Sequence, residues 1–213
     1  MVITHHGGQC FKVTFGDLTL AFDPVAKGAT LPSSRFGADI VFVSRHHPDM
    51  NGVEEMTYGE KTPFVISGPG EYERQGVVAQ GFFSHSAYGL AKGRTEAANT
   101  VFAVHLEDMT LVHLGALSDH ELSREAREGI DEIDVLFVPV GGSGVLSPSA
   151  AHELAVSLEP KIIIPMHWNG MGDPAALESY LKGAGTDGER VDKLTLKKKD
   201  LAGRDGSILV ITP

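Results

Sequence analysis

Cysteine is almost missing from this chain. Its 213 residues include a single one, Cys10, so an internal disulfide and a cysteine-rich zinc site are both excluded. Cys10 sits among Phe11, Val13 and Phe15 and reads as a small core residue, not a nucleophile. No apolar run approaches the length of a membrane span. The N-terminal stretch MVITHHGGQC lacks the basic and long apolar regions of a secretion signal, so a cytoplasmic location is expected, with no membrane partner. Positive charge is scarce too. The formal net charge is −10, which leaves no broad electrostatic reason to bind nucleic acid. The one basic run, Lys197–Lys198–Lys199, reads as a solvated strand end or turn.

What remains is an ordinary globular composition, 42% hydrophobic and 22% charged. The length suits one domain over 1–213, built from two fused halves at roughly 1–107 and 108–213. The first part reads as β. FKVTF and LTLAF alternate around a Gly16-Asp17 turn, and IVFV and FVI are buried runs. TVFAVHL and MTLVHL flank a turn at Glu107-Asp108. Later the pattern alternates. Ser118 and Glu121 make a capping-box pattern before Leu122 and Ala126. Ser147-Pro148 opens a helix with Ala151, Leu154, Ala155 and Leu158 on one face. Asp173-Pro174 opens another through Leu177, Tyr180 and Leu181. IDVLFVPV and KIIIP read as buried strands, and KLTL and SILVI close the chain. Buried strands need cover on both faces, so the expected class is α/β with sheets inside and helices outside.

Three buried runs end in histidine. IVFVS leads to Arg45, His46, His47 and Asp49; TLV leads to His113; IIIP leads to Met166 and His167. One such histidine is usually a hydrogen-bonded structural residue. Three together, at strand ends that aim loops at a shared cleft, point to metal chemistry with imidazole and carboxylate donors.

The chain resembles the metallo-β-lactamase fold, whose signature is His-x-His-x-Asp-His after a buried strand, and within it the branch related to L-ascorbate-6-phosphate lactonase. The stretches that carry the resemblance are GQCFKV, AFDP, SGPGEYE, NTVF, VHLGALS, VLFVPVGG and IIPMHW, in the family's order over most of the chain. The resemblance implies an αββα sandwich, two β-sheets face to face with helices outside, and a site at one edge. It also implies a zinc-type hydrolase site, and here the signature is incomplete. His47, Asp49, His113 and His167 match ligand positions, whereas Arg45, Met50 and Ala116 stand where the family has two histidines and a bridging aspartate. Asp23, in FDP, matches a buried aspartate that supports the site from behind. His46 should point away from His47, since neighbours in an extended segment do. His85 matches a segment near the cleft, where it would either line a pocket with Arg45 and His46 or serve as a plain polar surface residue. His5 and His6 read as structural. GGSG, residues 141 to 144, reads as a strand-to-helix loop before a phosphate cradle.

Charge weighs against a metal. Arg45 and Asp49 are expected to neutralise one another. A guanidinium roughly 5 Å from a divalent ion, at an effective dielectric near 20, is repelled by about 6–7 kcal/mol, and micromolar binding amounts to about 8 kcal/mol. The favoured expectation is therefore a protein with a depleted dinuclear site, metal-free or weakly metal-binding, that holds a small anionic ligand or acts as a scaffold. The alternative is a mononuclear hydrolase of an ester, lactone or phosphoester. There the four surviving residues hold one divalent ion, zinc first, iron or manganese next, and Asp49 also accepts the proton. Restoring a third imidazole with Arg45→His is expected to favour zinc.

Overall fold

A computed structural model describes residues 1–213. Strands β1 (Val2–His5), β2 (Phe11–Phe15), β3 (Leu18–Phe22), β4 (Ile40–Phe42) and β5 (Phe64–Ile66) come first. Next come β6 (Gly70–Arg74), β7 (Val77–Ser86), β8 (Ala97–Leu106) and β9 (Met109–His113). The α/β part follows: α1 (Arg124–Gly129), β10 (Val135–Pro139), α2 (Pro148–Ser157), β11 (Ile162–Met166) and α3 (Ala176–Gly183). β12 (Glu189–Val191), β13 (Leu194–Thr195) and β14 (Ser207–Ile211) end the chain.

The strands form two mixed sheets. One has the order β13-β1-β2-β3-β4-β5, the other β12-β14-β11-β10-β9-β8-β7-β6. The larger core lies between the sheets, where Phe22 and Phe42 of the first meet Phe102 and Phe137 of the second. A second core joins the other face of the larger sheet to α1, α2 and α3 through Val112, Leu136, Ala151 and Tyr180. All three α-helices therefore cover one sheet. The smaller sheet is covered by Phe36, Ala38 and a single 3-10 turn, Val53–Met56. The expected sandwich of two sheets with helices outside is present.

Burial on both faces explains the sequence runs: β9, β10 and β11 are buried at every residue and pair in parallel. Parallel pairing brings the ends of β9 and β11 to one edge, so His113 and His167 emerge together. The turn at Glu107-Asp108 has both residues at positive φ, 53° and 58°, the geometry of a two-residue hairpin turn.

Three local expectations need correction. Ser118 does not cap α1. Its N–H and Oγ both donate to the His85 carbonyl, at 3.0 and 3.2 Å, and Ser123 caps the helix instead, accepting from Ala126 N. Leu122 and Ala126 are buried as expected. α3 begins two residues beyond Pro174, and Asp173 Oδ1 accepts from Ala175 N. The basic run is not simply solvated. Lys198 donates to both oxygens of the buried Asp134, at 3.1 and 2.9 Å, inside a short 3-10 helix.

Candidate functional site

The chain after β4 turns back across the sandwich edge and places Arg45, His47 and Asp49 near the ends of β9 and β11. Asp49 is 1% exposed. Its Oδ1 accepts from Thr30 N at 2.8 Å and its Oδ2 from the Tyr88 hydroxyl at 2.7 Å. His47 Nδ1 lies 3.5 Å from Oδ2 and accepts from Asp49 N at 3.2 Å. Burial and the Arg45 charge both lower the His47 pKa, against the pull of Asp49.

Arg45 does not pair with Asp49, contrary to the sequence expectation. The carboxylate is already occupied by Tyr88, Thr30 and His47, and the guanidinium turns elsewhere. Arg45 is 6% exposed, and its Nε and Nη1 are buried with no partner. It lines a cavity of about 330 Å³ with His46, His47, Leu90, Ala91 and Arg94, and no carboxylate lines that cavity. His46 is exposed, its Nδ1 3.3 Å from Asn51 Nδ2, and it shares the wall of that cavity with His47. His85 is not among the lining residues. Its Nδ1 is 3.1 Å from Asp119 Oδ2 and its Nε2 3.8 Å from Glu96 Oε2. A larger cavity, about 460 Å³ around His152 and Ile208, lies behind α2 and contains none of these residues.

His113 is fully buried and both its ring nitrogens are occupied. Nδ1 accepts from Gly115 N at 3.2 Å and Nε2 faces the Gln9 carbonyl at 3.3 Å, while the ring stacks on Phe22. Burial lowers its pKa to about 3. His167 is held through Nδ1, which accepts from Gln9 Nε2 at 2.9 Å; Nε2 is buried without a partner. Burial lowers its pKa to about 4. Its φ of 61° is a left-handed conformation that β-branched residues avoid. Asp23 stands behind His113, with Oδ2 3.9 Å from Nδ1. It accepts from Ser44 N and Ser44 Oγ at 2.7 and 2.6 Å, yet burial pushes its pKa up to about 7. Cys10 is buried, and burial pushes its thiol up to about 12, which rules out a ready thiolate.

The residue missed in the sequence is Tyr88. Its ring meets His47 and His167 edge-on, at centroid distances of 5.1 and 4.7 Å. Met50 and Ala116, at lost ligand positions, join Val145 and Met171 in an apolar cluster against which Tyr88 and Leu31 pack. The sequence signal was an aromatic three residues beyond His85. An ion does not fit this arrangement. No three His, Cys, Asp or Glu side chains gather closely enough to hold one. His113 has no nitrogen to give, and Asp49 Oδ2 is bound to a phenol.

Residues 2–167 match the family model described as a beta-lactamase superfamily domain. Among solved structures, a Thermotoga maritima protein of the metallo-β-lactamase superfamily is 30% identical, with a TM-score of 0.74 over 99% of this chain and 97% of that one. The metallo hydrolase Igni18 of Ignicoccus hospitalis is 16% identical, with a TM-score of 0.66 over 100% and 95% of the two chains, a likeness of fold. The metal-dependent hydrolase YtkL of Bacillus subtilis is 24% identical over 217 residues, 86% of this chain and 94% of that protein.

Proposed function

From the premise that this chain belongs to the beta-lactamase superfamily, we propose that it is a metal-free member whose cleft binds a small anion at Arg45. The observation that carries this reading is the buried guanidinium with two unpartnered nitrogens, Nε and Nη1. A buried cation without a partner costs several kcal/mol, and an anion entering the cavity relieves that cost with charge-assisted hydrogen bonds. Arg94 adds a second cation and no lining carboxylate opposes it. The cavity, about 330 Å³, sits at the small end of ligand pockets. A small ligand is implied.

The test is thermal unfolding with inorganic phosphate, sulfate or acetate added, in parent and Arg45→Met. An anion at about 100 times its dissociation constant adds about 2.7 kcal/mol. The parent should be stabilised and the variant should not. Equal responses, or none in either, would remove the anion reading.

A mononuclear hydrolase is the second reading, and it has the name of YtkL as a metal-dependent hydrolase in its favour. It requires His113 and Asp49 to exchange their present partners for an ion. It predicts zinc-, iron- or manganese-dependent turnover of an activated ester or phosphodiester, abolished by His113→Ala; the anion reading predicts none. The lactonase-like branch belongs with this second reading.

A further inference from the structure

We infer that Tyr88 is the side chain that replaces the metal: its ring and hydroxyl fill the space among His47, Asp49 and His167 and exclude an ion there, even when Arg45 is removed. The inference rests on the metal-free reading above and names what enforces it.

Geometry carries the argument. One zinc ion shared by two imidazoles and a carboxylate sits about 2.0–2.2 Å from each donor atom. The three donor groups must then converge on a point. Here a phenol ring lies against both imidazoles, with interplanar angles of 69° to His47 and 89° to His167. Carbon atoms in contact stay about 3.5–4.0 Å apart, so ring and ion cannot share the space. The Tyr88 hydroxyl also occupies Asp49 Oδ2, the oxygen nearest His47. His167 Nε2, the donor atom an ion would take, is left buried and unpartnered.

The surroundings are built for this ring. Met50, Ala116, Val145, Met171 and Leu31 make an apolar bed, suited to an aromatic side chain and not to a hydrated ion. The segment carrying Tyr88 is pressed down from both sides. A Cβ added at Gly144 would lie 2.6 Å from Tyr88 Cα, and one at Gly89 would lie 2.5 Å from His47 Nε2. Ala87 N donates to the Gly144 carbonyl at 3.1 Å and fixes the segment to the GGSG loop. That loop therefore holds Tyr88 in place.

The consequence separates Tyr88 from Arg45. Arg45→His removes the repelling charge and supplies an imidazole, but leaves the phenol. The experiment compares the parent, Arg45→His, Arg45→His with Tyr88→Ala, and the same pair with Tyr88→Ser, which keeps a hydroxyl without the ring. Each is incubated with zinc chloride, freed of excess and assayed for bound zinc and unfolding temperature. Parent and Arg45→His should hold no stoichiometric zinc. Either double variant should bind a zinc ion per chain and unfold at a higher temperature with zinc than without. Adding Asp49→Asn to the double variant should abolish that binding. Stoichiometric zinc in Arg45→His with Tyr88 in place would overturn the inference, as would folded double variants that take up none. These readouts are metal counts, so loss of the anion response in the parent would condemn the anion reading and leave this inference standing.

Discussion

At the scale of single residues, the centre of the site is a charged hydrogen bond, not an ion pair. Tyr88 Oη donates 2.7 Å to a carboxylate that is 1% exposed. Hydrogen bonds to charged groups contribute about 1.5–3 kcal/mol, so Tyr88→Phe should lose stability in that range, measured by urea unfolding, while keeping the ring packed on His167. Asp49 and the Phe hydrogen edge would then meet without compensation. A loss near zero would mean that water replaces the phenol at Oδ2. The positions of His47, Asp49, His113 and His167 were legible because strand ends and motif spacing are properties of the backbone. Their partners were not. Whether Asp49 takes Arg45 or Tyr88 depends on side-chain reach across 39 residues of separation, and charge alone favoured the wrong partner.

At the scale of elements, the misplaced start of α1 shows the same competition. A serine followed three residues on by glutamate satisfies the capping-box pattern, but Ser118 is committed to the His85 carbonyl at the end of β7. Tertiary hydrogen bonds won over a local rule. Ser123 accepts from Ala126 N at 3.2 Å and is the true cap. Ser123→Ala should cost about 1 kcal/mol. Ser118→Ala should leave α1 intact and loosen its tether to β7, a difference readable by amide exchange in each segment. By contrast Ser147-Pro148 was legible, because proline at the first turn and the serine cap agree. The GGSG loop belongs at this scale too. Gly144 has φ of 102°, a conformation few side chains adopt, and no room for a Cβ beside Tyr88. Gly144→Ala should destabilise by about 1–3 kcal/mol from backbone strain alone, with more added if the Tyr88 segment is pushed away. Fluorescence or amide exchange at residues 87–89 would show that displacement.

For the whole molecule, the edge of the sandwich concentrates buried titratable groups, and they set how stability depends on pH. Burial lowers the pKa of five histidines from an ordinary 6.5: His5 and His167 to about 4, His113 to about 3, and His6 and His47 in the same direction. Below pH 6.5 the unfolded chain gains protons that the fold refuses, so stability present above that pH is lost as pH falls toward 4. Asp23 runs the other way. Its folded pKa of about 7 stands above the ordinary 3.8, so the stability it contributes is full below 3.8 and is lost as pH rises toward 7. Each fully titrating group changes stability by about 1.4 kcal/mol per pH unit. The histidines outnumber Asp23, so acidification between the two limits brings a net loss. The summed slope belongs to the whole fold, because His5 ties β1 to β14 through the Ile211 carbonyl, 2.9 Å from its Nδ1, while His113 ends β9 and His167 follows β11, the two strands that flank β10. His5→Phe preserves the stacking on Phe11, whose ring lies 4.5 Å away at 10°. It removes one titration, so the slope of unfolding free energy between pH 5 and 6 should flatten by about 1.4 kcal/mol per unit. Asp23→Asn should steepen the same slope by a similar amount. Urea unfolding across that range checks both signs, and a slope unchanged by either substitution would mean that these groups titrate alike in the folded and unfolded chain.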